Sequence, residues 1–60
     1  MERHYDIFET IDYSPLWRCS VSGLEPAIAK MKELAERSAN EFTLMHLPSN
    51  TVIAKLNSPV

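Results

Sequence analysis

GLEPAIAKMKELAERSA, residues 23–39, is the stretch that decides the fold. Leu24, Ala27, Ile28, Met31, Leu34, Ala35 and Ser38 recur at i, i+3, i+4 and i+7, which places small and apolar side chains on one stripe of a helix. Lys30, Glu33, Glu36 and Arg37 fall on the outer side, and Glu33 with Arg37 makes a favourably oriented i, i+4 pair. One amphipathic helix is therefore expected, ending near Ala39, with Asn40 suited to a left-handed C-terminal position.

The start of that helix is set by proline. Ser22-Gly23-Leu24-Glu25 matches a capping box, but capping at Ser22 would put Pro26 at the fourth helical position, where an N–H is needed and proline has none. A start capped at Gly23 or Glu25 keeps Pro26 within the first turn, where no donor is missed.

Outward from the helix the period changes from 3.6 to 2. His4 to Ile11 alternates apolar and charged residues and reads as a first strand, with Tyr5, Ile7 and Ile11 on one face and Phe8 on the other with His4 and Asp6. Asp12-Tyr13-Ser14-Pro15 carries turn chemistry. Leu16 to Ser22 follows as a second strand, with Trp17, Cys19 and Val21 on one face. Past the helix, Glu41 to Leu47 reads as a third strand, in which Phe42, Leu44 and His46 oppose Thr43, Met45 and Leu47. Pro48-Ser49-Asn50-Thr51 is a hairpin connection with Asn50 as the residue suited to a positive φ, and Val52 to Leu56 is the fourth strand. Asn57 to Val60 reads as a tail. The layout is ββαββ, an α+β fold. A right-handed crossover that skips the first strand predicts a four-stranded antiparallel sheet in the order 2-1-3-4, with the helix on one face.

Sixty residues make one small domain, its ordered part spanning about 3–56. Such a chain buries only about 60% of its unfolded surface, and small folds usually add a disulfide, a metal or a partner subunit. Cys19 is the only cysteine, so no intrachain disulfide can form, and a lone thiol suits a reducing compartment. The opening MERHYDIFETIDY lacks the apolar run of a signal peptide, and no stretch approaches membrane-spanning length. A cytoplasmic protein without membrane association is expected. Six Lys and Arg stand against eight Asp and Glu, scattered, for a net charge of −2. That inventory cannot supply a large phosphate-neutralising patch, so nucleic acid is not the expected partner.

Tyr5-Asp6-Ile7-Phe8, then Trp17, then Val21-x-Gly23-Leu24-Glu25-x-Ala27, then Glu33-Leu34-Ala35-x-x-Ser38 and Glu41-Phe42, make a frame that resembles a group of very short uncharacterised bacterial proteins with a ββαββ layout. The similarity runs over residues 5 to 54 at structural positions. Those proteins often carry a turn glycine where this chain has Asn50, a departure the same backbone can accept. The resemblance implies a shared fold and a bacterial source, and it brings no activity with it.

Few residues suggest chemistry. Cys19 lies on the face of Trp17 and Val21 while Arg18 points away, an arrangement for a packed thiol rather than an activated one. His4 and His46, with Asp6 or Glu9, could serve as acid–base groups or metal ligands only if the first and third strands bring them together. Gly23 is the only glycine, which excludes phosphate-cradling glycine loops, and no serine has a nucleophile-elbow context. Glu2, Asp6, Glu9 and Asp12 lack calcium-loop spacing and read as surface charges. Neither a cofactor, a metal nor an enzymatic activity is expected. What remains is apolar surface. With Tyr5, Ile7, Trp17, Cys19, Val21, Phe42, Leu44, Val52 and Ala54 on the helix side, Phe8, Leu16, Met45, Leu47 and Ile53 are left on the other, a candidate interface. A homodimer pairing these faces, or pairing the fourth strand edge to edge, is expected, and an unidentified protein partner is compatible with the same surface. The alternative is a nucleic-acid-binding accessory protein using Arg3, Arg18 and Lys55 with Trp17 as a stacking platform.

Overall fold

A computed structural model describes residues 3–58. The elements run β1 (His4–Ile11), β2 (Ser14–Ser22), α1 (Leu24–Glu36), β3 (Phe42–His46), a 3-10 turn (Leu47–Ser49) and β4 (Thr51–Leu56). The four strands form one antiparallel sheet in the order β2-β1-β3-β4. The α+β class, the ββαββ layout and the strand order are those expected.

The helix starts where Pro26 allows. Gly23 is the N-cap with φ 88°, no side chain caps the helix, and the first intrahelical bond is Ala27 N–H to Gly23 O at 3.2 Å. Pro26 is then the third helical residue and misses no donor. A side chain at Gly23 would be strained by that φ, and its Cβ would stand 3.3 Å from Pro26 Cδ. Ser22 Oγ instead hydrogen-bonds His4 Nδ1 at 3.0 Å across the β1–β2 pair.

The other end departs from expectation. The helix stops at Glu36 with Arg37 as C-cap, three residues before Ala39, and Asn40 does not take a positive φ. Ser38 and Asn40 lie off the helical path, where both donate to Glu9. Closure comes from Asn57, which adopts φ 58° and directs its Nδ2 at the carbonyls of Ala35 (3.0 Å), Ser38 (2.9 Å) and Asn40 (3.3 Å). Thus the first residue of the expected tail ties β4 to the end of α1; Pro59 and Val60 lie outside the described residues.

The hairpin joining β1 to β2 is shorter than its turn chemistry suggests. Asp12 and Tyr13 alone form it, at φ 50° and 67°, and Ser14 and Pro15 belong to β2. Two positive φ values in a two-residue loop match the right-handed strand twist, although a tyrosine there is strained. Asn50 takes φ 51° at the β3–β4 connection, as its turn chemistry anticipates.

The core lies between α1 and one sheet face. Tyr5, Ile7, Ala27, Met31, Phe42 and Leu44 are buried, with Cys19, Val21, Ile28, Leu34, Ala35, Ala54 and Leu56 packed around them. One helix of 13 residues is about 20 Å long, enough to cover the middle of one face of this sheet.

Candidate interaction surface

Two bulges decide what the uncovered face carries. In the β1–β2 pair Ile7 opposes Cys19 while Phe8 opposes Trp17, so Arg18 is an extra residue in β2. In the β3–β4 pair Leu44 opposes Ala54 while Met45 opposes Val52, so Ile53 is extra in β4. Each bulge reverses the parity of the residues beyond it. Trp17 therefore joins Phe8 on the open face instead of lying beside Cys19, and Leu16 pairs with Glu9 on the helix side instead of lying on the open face. Val52 likewise joins Met45 on the open face. Leu47 opens the 3-10 turn, and both Leu47 and Ile53 are partly exposed at the β3–β4 end.

The corrected open face is organised in rows that cross all four strands. One row reads Trp17, Phe8, Thr43, Lys55 and the next Ser20, Asp6, Met45, Val52. Trp17 is 55% and Val52 48% exposed, while Phe8 and Met45 are half-buried beneath their neighbours. The indole Nε1–H of Trp17 donates to Asp6 Oδ1 at 2.9 Å, holding the ring along β1. Such a fixed aromatic group contributes contact area with little ordering cost on binding.

The cationic contribution to this face is small. Arg18 reaches the helix side, where its Nε stands 3.3 Å from Glu9 Oε1, so it is not available beside Trp17. Lys55 is exposed and, among the described residues, makes no ion pair.

Glu9, expected at the surface, is 5% exposed. Its Oε2 accepts from Ser38 Oγ and Asn40 Nδ2, both at 2.8 Å. The Asn40 amide foremost, then the Ser38 hydroxyl, with Arg18 assisting, hold its carboxyl below the usual carboxylate range against the opposing effect of desolvation. With its oxygens occupied, Glu9 is a structural anchor between β1 and the α1–β3 connection. Its place on the face of Tyr5, Ile7 and Phe42 follows from alternation, which was the available signal for it.

The histidines are not brought together. His4 pairs with Ser22, whereas His46 hydrogen-bonds Ser49 Oγ at 2.8 Å and stacks obliquely near Tyr5, with ring centroids 5.6 Å apart. Ser49 also donates to Thr51 Oγ1 at 2.8 Å and braces the 3-10 turn. A Ser–His pair becomes a nucleophile only with an orienting third group and oxyanion donors; both pairs here are exposed and serve local bracing. Among the described residues no three His, Cys, Asp or Glu side chains gather where they could hold a metal. Cys19 is partly buried against the core. A groove of about 490 Å³ lies beside the Asp12–Tyr13 hairpin, lined also by Asn40, Glu41 and Asn57. Asn40 and Asn57 are already committed to the internal bonds described above, and Glu41 Oε2 accepts from Ser58 Oγ. No described helix is long and apolar enough to cross a membrane.

No family model, curated protein or solved structure matches the chain. The functional reading accordingly rests on the geometry of its surfaces.

Proposed function

We propose that this chain is a non-enzymatic protein-interaction module of a reducing, cytoplasmic compartment that acts as a homodimer through its open sheet face. The observation carrying this reading is the pair of rows bearing Phe8, Trp17, Met45 and Val52 on the face that α1 leaves uncovered. Contiguous apolar side chains of this size mark an interaction surface rather than the scattered exposure of a monomer. A two-fold pairing of identical faces would supply the additional core a chain of this length lacks.

The edges favour face pairing over strand addition. β2 carries Pro15 and the Arg18 bulge, and β4 carries the Ile53 bulge and Lys55. Bulges, proline and lysine are devices that blunt an edge against further pairing. The loss of Arg18 to Glu9 and the presence of Asp6 beside Trp17 weigh against a nucleic-acid platform.

Met45→Glu tests the reading, since it places a second carboxylate beside Asp6 in the middle of the face without touching the core. Its sedimentation should be that of a monomer where the native chain is dimeric, with an unchanged far-UV spectrum. Equal masses for the two proteins would refute the assignment of this face, and retention of the native chain on heparin at low salt would favour the nucleic-acid alternative.

A further inference from the structure

Lys55 and the Trp17–Asp6 pair sit on opposite sides of the same open face. Trp17 and Lys55 end one row that crosses the sheet, Trp17 on the outer strand β2 and Lys55 on the outer strand β4. Asp6 lies one row away on β1 and is tied to the indole by the 2.9 Å bond. One side of the face thus presents an aromatic ring with a carboxylate, and the other an ammonium group with no ion-pair partner among the described residues. We propose that two copies pair open face to open face about a two-fold axis parallel to the strands, seating Lys55 of each copy on the Trp17–Asp6 pair of the other.

The order β2-β1-β3-β4 dictates this match. A two-fold axis running along the strands between β1 and β3 lays β2 of one copy over β4 of the second and keeps every row at its own height. Trp17 then meets Lys55 of the second copy twice, once on each side of the axis, while at the centre Phe8 faces Thr43 and Met45 faces Asp6 of the second copy. An axis across the strands through that row would instead oppose Lys55 to Lys55, a like-charge juxtaposition that disfavours the arrangement. An ammonium over an indole face is attracted by the ring quadrupole, and the neighbouring carboxylate adds to the attraction. Four strands about 4.8 Å apart, with residues rising about 3.3 Å each, give a face of roughly 19 by 25 Å, about 475 Å² in projection and below the ~800 Å² that each partner buries in a standard interface, so the pairing is a weak, concentration-dependent one.

This geometry rests on the homodimer reading, and the test separates the two. Lys55→Glu and Asp6→Lys should each weaken self-association by about tenfold or more. An equimolar mixture of the two variants should recover the dimer mass. In the mixed dimer the carboxylate introduced by the first substitution faces the ammonium introduced by the second, and the native Asp6 and Lys55 still meet on the other side of the axis. A mixture no more dimeric than either variant alone, with the native chain dimeric, would overturn the orientation and leave self-association standing. A native chain that stays monomeric would remove both. Should Asp6→Lys fail to fold, the native chain supplies a second measurement. Carbodiimide coupling of mixed isotope-labelled and unlabelled protein should yield a Lys55–Asp6 amide between copies, and cross-linked dimers lacking that bond would contradict the proposal.

Discussion

On the face that α1 covers, Ile7 and Leu44 are fully buried and share a row with Cys19 and Ala54. One residue further along the same strands, on the opposite face, Phe8 and Met45 are half covered while Trp17 and Val52 stand about half exposed. Both faces obey the same two-residue period within β1 and β3. They differ because the outer strands each gain one residue, at Arg18 and Ile53, and the bulges move Trp17 and Val52 off the covered side. The single helix encloses the middle of the covered face, and Ile11 and Leu16 at its hairpin end stay partly exposed. The apolar groups displaced from it create the surface on which the proposed function depends.

The largest expected effect belongs to the covered face. Phe42→Ala should cost about 3–5 kcal/mol of stability, because the ring is enclosed and its removal leaves a cavity. Val52→Ala should cost less than about 1 kcal/mol in the dilute chain, since half of that side chain already meets water. Urea midpoints of the two variants check the contrast, and similar losses would show that the faces are not distinct.

Glu9 sharpens the same boundary, being a carboxylate on the covered side. Glu9→Ala should cost about 1–3 kcal/mol, as Ser38 and Asn40 lose their buried acceptor. Because its folded pKa is depressed, the stability it contributes is complete above the ordinary carboxylate value and is lost as pH falls through the folded pKa. Glu9→Gln should flatten that acid limb in thermal melts recorded across the pH range; an unchanged limb would assign the acid sensitivity elsewhere.

Asn57 fastens the open end of the covered face. Asn57→Ala should cost about 1 kcal/mol through the lost bonds to the last carbonyls of α1 and the following loop, with a further contribution from its positive φ. Asn57→Gly keeps the backbone and loses only the bonds, so hydrogen exchange in the last turn of α1 separates the two causes.

The smallest effect has the opposite sign. Tyr13→Gly should stabilise the hairpin by about 0.5–1 kcal/mol, because glycine accepts φ 67° without strain. A loss of stability would mean that the freedom glycine adds to the unfolded chain outweighs the strain it relieves.

The class, element order and strand order were legible because each rests on a long periodic signal: period 2 in His4–Ile11, period 3.6 from Leu24, and the proline that delays the helix start. The face assignments of Leu16, Trp17 and Val52 were not. A bulge leaves composition unchanged and inverts parity, so alternation counted straight through Arg18 or Ile53 assigns the wrong side. The helix end was hidden for a related reason. Ser38 fits the helical stripe, yet its hydroxyl is claimed by Glu9, a contact 29 residues distant in sequence that no local pattern contains. The candidate interface was consequently only partly legible: Phe8 and Met45 lie on the open face, Leu16 leaves it, and Trp17, which alternation counts to the helix side, is the more exposed of its two aromatic groups.

Light scattering of the native chain from low to tens of micromolar concentration tests the account most directly. The open-face interface predicts a mass that rises toward twice the 6.9 kDa of one chain. A mass that stays at one chain over the whole range would contradict it.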